Sequence, residues 1–411
     1  MTAKRLSERT RQLLPSSTQV LDAKVKELIA QGADVVNLGI GEPDFDTLPD
    51  AREGGVTAIR EGFTRYTATA GIAPLRQAIA GWLGTQRGLD YRSDEIVVSN
   101  GAKQGLFNSL MALVDPGDEV IIQAPYWVSY PEMIKLAGGV PVIIETCAET
   151  GFKMKPEMVA SRLTSRTRAI ILNSPSNPTG VVYGREELTE LAQLAVEHQL
   201  AVISDEIYDH LVYEDIEFVA FASLGPQVRE LTVTVNGFSK TCAMTGWRIG
   251  YAAAPRWLAA AMTDVQAHTT SAASSISQRA ALAALVRPQP LLEKMRLEFD
   301  ARRRMTVARL AGIPGISLEV VPRGAFYLFA NVAGLFGVNE DGQPIENSDR
   351  LARLLLEEAG VAVVPGSAFG APNHVRISYA TSLEQLESGM DRLLRFAHAH
   401  QPVSASTIRS G

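Results

Sequence analysis

The sequence predicts an α/β fold in which a mostly parallel sheet is covered by helices on both faces. Short apolar runs of strand length alternate with helical patterns over most of the 411 residues, and this alternation is typical of parallel sheets. A hydrophobic content of 46% with 20% charged residues fits an ordinary globular protein. The length allows one large domain with a smaller one, so burying a sizeable core is no difficulty.

Composition and charge argue against several classes of partner. The net charge is −6 and the pI is near 5.7, so there is no basic stripe for a nucleic acid and no polybasic patch for anionic lipid. The charged start and the lack of any apolar run of about 18 residues argue against a signal peptide or membrane span. Cys147 and Cys242 have neither a disulfide framework nor metal-ligand spacing. We therefore expect a cytoplasmic protein with no metal, nucleic-acid or membrane partner.

Six strands are predicted in the first two thirds of the chain, with helices between them. The predicted strands are Glu95–Ser99, Glu119–Gln123, Arg168–Asn173, Ala201–Ser204, Thr232–Val235 and Arg248–Ala252. The predicted helices are Lys103–Val114, Tyr126–Ala137 and Arg185–His198. From Pro255 to about Leu310 the pattern is helical, with breaks at Pro288 and Pro290, because proline interrupts a helix.

The last third predicts a smaller α+β domain. Its predicted strands are Ala325–Ala330, Val361–Val364 and His374–Ser378, and its predicted helices are Asp349–Ala359 and Leu383–His398. Pro314 and Gly315 mark the boundary, and a helix near Asp22–Gln31 is expected to join this domain. We therefore predict a large domain at 46–312, a small domain formed by 1–45 with 313–398, and a disordered tail at 399–411. Residues 331–350 are predicted to form an enlarged polar loop.

A basic amine, a hydroxyl and a guanidinium follow one predicted strand. Ser239 and Lys240 come directly after a β-branched run, and Arg248 follows eight residues later. A lysine can form a Schiff base only if its amine can be neutral near pH 7, and a phosphorylated cofactor needs anion-binding groups beside that amine. Ser239 and Arg248 could supply those groups. The pattern indicates a pyridoxal phosphate anchor, although a single lysine is more often a solvated surface charge.

An acid and a phenol follow another predicted strand. The run Ala201–Ser204 leads directly into Asp205, and Tyr208 lies three residues further on. Ligands gather at the carboxyl ends of strands in open α/β sheets, where Asp205 could keep a pyridine nitrogen protonated. The alternative is that Asp205 only caps the next helix.

Three further segments carry candidate cofactor contacts. Asn177 lies in a loop rich in proline and glycine and could offer its amide to a phenolate oxygen, or simply form an Asx turn. Backbone amides from Gly101 to Lys103 open a helix and could bind a phosphate. Trp127 could stack on a planar ring, although an interior tryptophan is more often part of the core.

Arg376 lies on an otherwise apolar predicted strand. An unpaired buried charge is very costly, so this guanidinium needs a carboxylate partner. The partner could be an internal Asp or Glu, or it could be the carboxylate of a substrate bound by both guanidinium nitrogens.

Together these segments resemble the fold type I aminotransferases, and bacterial aspartate aminotransferases most closely. The likeness spans residues 10–398 in order and with the family's spacing. The segments that carry it are Leu38–Phe45, Tyr66, Asn177–Gly180, Ser204–Tyr208, Ser239–Lys240, Gly246–Gly250 and Arg376.

The resemblance implies a role for each candidate residue. Lys240 would be the Schiff-base lysine and proton shuttle for pyridoxal 5'-phosphate, with Asp205 on the pyridine nitrogen and Tyr208 and Asn177 beside the ring hydroxyl. Trp127 would stack on the ring. The remaining cofactor contacts would be Gly101, Ala102, Lys103, Ser239, Arg248 and, across a homodimer interface, Tyr66. The substrate contacts would be Gly41, Trp127, Asn177, Arg376, Lys103 and Thr18.

The implied reaction is a ping-pong transfer of an amino group between an amino acid and a 2-oxo acid. Lys103 matches a position that contacts the distal carboxylate in aspartate-specific relatives, which favours aspartate or glutamate. Thr18 is similar to a residue in relatives that also aminate prephenate, so prephenate and aromatic amino acids remain alternatives. A β-lyase or an amino-acid oxidase on the same scaffold would keep nearly all the cofactor residues. His268, in a segment expected near the partner's site, is either a specificity element or an interface histidine.

Two rivals from other classes fit less well. A transcription regulator would need an added DNA-binding domain, for which there is no room before residue 20 and no basic footprint. A nicotinamide dehydrogenase is disfavoured because the run from Gly39 to Asp44 lacks the third glycine of the dinucleotide fingerprint.

Overall fold

The computed structural model describes residues 6–286, 290–338 and 344–400. The helices are α1 Glu8–Arg11, α2 Ser17–Ala30, α3 Pro49–Arg60, α4 Ala73–Arg87, α5 Ala102–Leu113, α6 Tyr130–Leu136, α7 Pro156–Ala160, α8 Arg185–Glu197, α9 Pro226–Leu231, α10 Arg256–Ala267, α11 Ser275–Val286, α12 Pro290–Leu310, α13 Ser348–Glu358 and α14 Leu383–Ala399. The strands are β1 Val36–Asn37, β2 Ile96–Ser99, β3 Glu119–Ala124, β4 Val140–Glu145, β5 Thr167–Asn173, β6 Ala201–Asp205, β7 Thr232–Gly237, β8 Gly250–Ala253, β9 Tyr327–Asn331, β10 Gly337–Val338, β11 Pro344–Ile345, β12 Val361–Ala362, β13 Val364–Pro365 and β14 His374–Ser378.

The central sheet has seven strands in the order β2-β8-β7-β6-β5-β3-β4. All neighbours are parallel except those of β8, which runs antiparallel to both β2 and β7. Helices cover both faces, so β3 and β7 are buried along their whole length, as is typical of parallel strands. Asn173 pairs with Asp205, and Asp205 pairs with Val235, so three strands end side by side at one edge. The predicted α/β fold with a mostly parallel sheet is confirmed.

The six predicted strands of this sheet are confirmed with small shifts at their ends, but two details were wrong. The edge strand β4 was missed, because Pro141 weakens the sequence signal for a strand. Proline is tolerated in an edge strand, where its missing N–H group need not cost a hydrogen bond to a neighbouring strand. The last strand was predicted to begin at Arg248 and begins at Gly250. Arg248 instead has a φ of 51°, a left-handed conformation that ends the preceding turn.

Two helices at the start of the large domain, α3 and α4, were not predicted. The sequence of α3 contains adjacent glycines, and each costs a helix about 1 kcal/mol relative to alanine. A Cβ on Gly54 would lie 2.7 Å from Ala283 Cβ, and one on Gly55 would lie 2.6 Å from Trp247 Cη2. Glycine is therefore required by the close packing of α3 on α11 and Trp247, which the local sequence does not reveal.

Other helix predictions need smaller corrections. The helix expected from Tyr126 begins only at Tyr130, because the Tyr126 amide donates to the Phe369 carbonyl in the small domain (3.1 Å). The long helical stretch after Pro255 is three helices: it stops at Ala267 and restarts at Ser275. The third helix begins at Pro290, and the break predicted at Pro288 lies outside the described residues.

The smaller part contains the antiparallel sheet β13-β14-β9, with β1 parallel to β12 beside it. The strand predicted at 361–364 is therefore two short strands in different sheets. The β1–β12 pair joins the N-terminal segment to the C-terminal one, in keeping with the predicted domain limits, which stay a prediction. The loop predicted at 331–350 contains a 3₁₀ turn at Ala333–Leu335 and the β10–β11 pair. Its residues 339–343 lie outside the described residues. The tail was predicted to begin at residue 399, but Ala399 still belongs to α14; residues 401–411 lie outside the described residues.

Within the described ranges, no helix is both long enough and apolar enough to cross a membrane.

Phe299 on α12 connects the large domain to two other segments. Its ring is fully buried, 5.2 Å from the Phe45 ring and 5.5 Å from the Phe326 ring. We predict that Phe299→Ala lowers the free energy of unfolding by about 3–5 kcal/mol, because it loses apolar burial and leaves a cavity. Urea unfolding followed by circular dichroism measures this loss. Leu297→Ala on the same helix is the control: its side chain is 51% exposed, so a change beyond about 0.5 kcal/mol there would contradict the assignment.

Candidate active site

A cleft of about 410 Å³ opens at the carboxyl edge of the central sheet, beneath the N-terminal segment and the small domain. It brings together segments that lie far apart in the sequence. The predicted site residues that line it are Thr18, Gly41, Ala102, Lys103, Trp127, Asn177, Asp205, Tyr208, Ser239, Lys240, Arg248 and Arg376.

Lys240 follows the turn after β7 and projects its amine into this cleft. Nζ donates a hydrogen bond to the Gly41 carbonyl. Burial lowers the pKa of Lys240 to about 8, and the charges of Arg376 and Arg248 act in the same direction, whereas Glu42 and Asp205 oppose it. More of the amine is therefore neutral near pH 8 than in an ordinary lysine, and a nucleophile or a base requires the neutral form.

Asp205 ends β6 and is held by groups on two other elements. Its Oδ2 accepts a hydrogen bond from the Tyr130 hydroxyl (2.7 Å), and its Oδ1 accepts one from the Ile207 amide (3.3 Å). Asn173 Nδ2 donates to the Asp205 carbonyl (3.0 Å). Burial raises the pKa of Asp205 to about 6, although both hydrogen bonds and the Lys240 charge lower it. The carboxylate is therefore fixed in position and still largely ionised at pH 7. The alternative role as a simple helix cap does not hold, because no α-helix follows β6 before α9 and the 3₁₀ helix between them begins only at Phe221.

Tyr208 lies on the same wall as Asp205. Its hydroxyl shares a hydrogen bond with the Tyr327 hydroxyl (2.9 Å). Burial raises the pKa of Tyr208 well above its ordinary value, so the phenol is neutral. It can donate to an anionic oxygen in the cleft.

The start of α5 and the turn before β8 form an anion-binding corner. The first amides of a helix have no acceptor within it, and those of Ala102 and Lys103 stand at the start of α5. The Arg248 guanidinium lies close to the backbone of Gly101, since a Cβ on Gly101 would lie 2.5 Å from Arg248 Nη2. Arg248 Nη1 donates to the Thr245 carbonyl (3.0 Å). Gly101 therefore lies beside the Arg248 guanidinium and does not line the cleft itself.

Arg376 on β14 is the most deeply buried charge in the cleft, with 2% of its surface exposed. Its Nη1 donates to Asn177 Oδ1 and its Nη2 to the Gly39 carbonyl, each at 2.9 Å. Its Nε is buried without a hydrogen-bond partner. Among the described residues no Asp or Glu forms an ion pair with it, so the internal partner that the sequence left open is not there.

Lys103 also lines the cleft and is itself exposed. Its Nζ is 4.7 Å from the centre of the Trp127 ring, a cation–π contact. Partial desolvation lowers the pKa of Lys103, and the charge of Arg248 acts in the same direction. Thr18, on α2, lines the cleft with its hydroxyl 3.2 Å from that of Ser16.

Tyr66, like Gly101, is a predicted cofactor contact that does not line this cleft. Its side chain is 96% exposed, and it lies in the connection between α3 and α4. His268 is also exposed and ends α10. Neither residue reaches the cleft of its own chain.

Sequence reasoning missed five residues that shape the site. They are Asn173, Tyr130, Tyr327, Glu42 and Thr245, of which the last two share a hydrogen bond between Thr245 Oγ1 and Glu42 Oε2 (2.7 Å). Asn173 could have been found, since it ends a predicted strand. The two tyrosines carry no local signal. No group of three or more His, Cys, Asp or Glu side chains in the described ranges is placed to hold a metal ion.

The sheet order and the position of the cleft are those of a fold type I enzyme. A family model described as aminotransferase class I and II matches residues 33–393, and the chain belongs to this family. It is 46% identical over 398 residues to an aspartate aminotransferase of Geobacillus stearothermophilus, covering 96% of this chain and 99% of the relative. It is 45% identical to an aspartate/prephenate aminotransferase of Cereibacter sphaeroides, covering 95% of this chain and 98% of the relative.

Solved structures agree with the sequence relatives. The aspartate aminotransferase from Thermus thermophilus with maleate has a TM-score of 0.90 and 44% identity, and the match covers 96% of this chain and 100% of that one. The chain is therefore an aminotransferase with the fold type I architecture.

The lowered pKa of Lys240 leads to a test that needs no cofactor. We predict that an amine-acylating reagent modifies Lys240 at a rate that rises with pH through a midpoint of about 8, because only the neutral amine reacts. Peptide mass spectrometry on the cofactor-free protein measures the rate, and Nα-acetyl-lysine corrects for the pH dependence of the reagent. A midpoint near the ordinary lysine value of about 10.4 would contradict the environment assigned to this amine.

Proposed function

We propose that this protein transfers the amino group of an acidic L-amino acid, aspartate or glutamate, to a 2-oxo acid in a ping-pong reaction that uses pyridoxal 5'-phosphate at Lys240. The observation that carries an amino-acid substrate is Arg376, a buried guanidinium with no acidic partner among the described residues. Such a charge is stabilised when an α-carboxylate enters the cleft. Lys103, which lines the same cleft, offers a second cation for a distal carboxylate and therefore favours an acidic amino acid. The aspartate aminotransferase names of the relatives support the same class.

The residues of the cleft fit a phosphorylated pyridine aldehyde. Lys240 provides an amine with a lowered pKa, and Asp205 provides a buried carboxylate. The α5 amides, with Ser239 and Arg248, would hold the phosphate. Tyr208 and Asn177 would contact the ring hydroxyl, and the face of Trp127 would cover the ring. When bound, pyridoxal phosphate supplies an aldehyde that exchanges with an amine and a ring that accepts electron density from the substrate Cα.

The protein's own groups then perform three tasks. Arg376 binds the α-carboxylate through its guanidinium fork, together with Asn177 and the main chain at Gly41. Lys240 Nζ, as a neutral amine, would take the proton from the substrate Cα and later give it up again, so it would act first as a base and then as an acid. Asp205, held by the Tyr130 hydroxyl, would face the ring nitrogen with its carboxylate and favour the protonated form of that nitrogen. The second half of the reaction uses the same groups in reverse order.

We also propose that the active unit is a homodimer with its sites at the interface. Tyr66 points away from its own cleft and is almost fully exposed, so it would serve the phosphate bound in a second copy. The site then contains residues from both chains. The cytoplasm is the proposed location, in keeping with the two cysteines and the charge of the chain.

Prephenate or aromatic amino acids form a second candidate substrate class. Thr18 lines the cleft, and the relative from Cereibacter sphaeroides is named an aspartate/prephenate aminotransferase. A hydroxyl at this position could contact the polar groups of a larger 2-oxo acid.

The reaction class is tested by mixing the cofactor-loaded enzyme with single substrates in a stopped-flow spectrometer. We expect aspartate and glutamate to convert the cofactor to its amine form, and a 2-oxo acid to restore it. Lys240→Ala should abolish conversion, since it removes the proton-transferring amine. Release of ammonia or peroxide instead of transfer to the 2-oxo acid would favour a lyase or an oxidase on this scaffold.

A pair of variants distinguishes the roles of Lys103 and Arg376. Lys103→Ala should lower kcat/KM for aspartate and glutamate by about ten- to a few-hundred-fold, the value of one charged hydrogen bond, and leave alanine unchanged. Arg376→Lys should lower kcat/KM for all three by at least about tenfold, because lysine lacks the bidentate fork. Equal losses for alanine and aspartate in Lys103→Ala would show that Lys103 does not read the distal carboxylate.

A further inference from the structure

In the connection between α3 and α4, the Tyr66 side chain is exposed to solvent, although hydrogen bonds fix the backbone around it. The Tyr66 hydroxyl makes no hydrogen bond within the described part of the chain, and its side chain is 96% exposed. The chain on either side of it is nevertheless bonded to two glutamines, Gln266 and Gln278, which are both fully buried.

The side-chain amide of Gln278, on α11, makes hydrogen bonds to this connection and to Ala273 with both its oxygen and its nitrogen. Its Oε1 accepts from the Ile72 amide (2.7 Å), and its Nε2 donates to Thr67 Oγ1 (3.0 Å) and to the Ala273 carbonyl (2.8 Å). Between these two attachment points lies Gly71, with a φ of 102°. The backbone there turns tightly against β2, since a Cβ on Gly71 would lie 2.6 Å from Val98 Cγ2.

Gln266, near the end of α10, holds the same connection from a second direction. Its Nε2 donates to the Thr69 and Val98 carbonyls, each at 2.8 Å. Its Oε1 accepts from Asn108 Nδ2 (2.9 Å) on α5. Gln266 therefore braces the connection against the helix whose start forms the anion-binding corner of its own cleft.

Burying a glutamine side chain costs rotamer freedom and hydration, so it stabilises the fold only when its amide is satisfied. Each of these amides uses both N–H groups and its carbonyl. Together they hold the backbone around Thr67, Thr69 and Ile72 in one arrangement. An exposed aromatic side chain on a rigid support, with no hydrogen bond to the described part of its own chain, favours a role outside that chain.

We propose that Gln278 and Gln266 are positioning residues that hold Tyr66 in place for the cofactor phosphate of the second subunit. The inference rests on the proposed function, in which Tyr66 completes the partner's site. Its distinctive consequence is that a change at Gln278 affects the cleft of the other chain and leaves the cleft of its own chain intact.

Mixed dimers with one functional lysine test this consequence. In the first arrangement, Lys240→Ala and Gln278→Met are on one chain and the other chain is unchanged, so the only functional lysine receives Tyr66 from the altered chain. In the second, Lys240→Ala is on one chain and Gln278→Met on the other, so the functional lysine receives Tyr66 from an unaltered support. Pyridoxal 5'-phosphate is titrated into each cofactor-free dimer, and the absorbance of cofactor attached to Lys240 gives its affinity.

We expect the affinity to fall on the order of tenfold in the first arrangement, the size of one hydrogen bond to a charged group, and to be unchanged in the second. Gln193→Met is the matched control, because it makes the same chemical change on the exposed face of α8 and should have no effect in either arrangement. An equal loss in both arrangements, or no loss in either, would overturn the inference.

Tyr66→Phe in the same two arrangements separates this inference from the function on which it rests. A loss only in the first arrangement establishes the shared site, and Gln278→Met must then follow the same pattern. If Tyr66→Phe has no effect there, the shared site and the inference both fail. Should the Gln278→Met chain not assemble, Thr67→Val removes the same hydrogen bond from the side of the connection, and its result in the two arrangements decides the question.

Discussion

The lateral alignment of β5, β6 and β7 is the constraint on which the rest of the site depends. Because these parallel strands end in register, the residues that follow them emerge at one edge of the sheet. Asn173, Asp205 and the turn leading to Lys240 are brought together in this way. A slip of one residue in β6 would turn Asp205 to the opposite face, where Tyr130 could not reach it. The burial of these strands on both faces fixes their register, and the register in turn decides which side chains reach the cleft.

The N-terminal segment between β1 and α3 completes the cleft from above. The Ser378 amide donates to the Leu38 carbonyl (2.7 Å), and the Leu38 amide donates to the Ala362 carbonyl (2.9 Å). Further along, main-chain carbonyls of Gly39 and Gly41 accept from Arg376 and Lys240. The same few residues thus connect the small-domain sheets to both cations of the site. The low exposure of Arg376 and the lowered pKa of Lys240 depend on this cover.

The places where sequence reasoning failed share one physical cause. Adjacent glycines in α3 are unfavourable for a helix taken alone, and only the close approach of Ala283 and Trp247 makes them necessary. Tyr126 belongs to a helical pattern, but a hydrogen bond to Phe369 keeps its backbone out of the helix. In each case a contact from a segment far away in the sequence overrides the local preference. Gln266 and Gln278 belong to the same group, since nothing local distinguishes them from surface glutamines.

The sequence by itself determined the α/β class, the order of most strands and helices, and twelve of the residues that line the cleft. This was possible because strand-end residues in a parallel sheet must converge, and because the segments around Lys240, Asp205 and Arg376 resemble those of one family. Only the tertiary structure decided which of two partners Arg376 has, since the absence of a nearby acid is a property of the packed molecule. It alone also revealed the Tyr130 contact to Asp205 and the supports beneath Tyr66. Those interactions join residues 75 to 211 positions apart, and a local pattern carries no information about contacts over such separations.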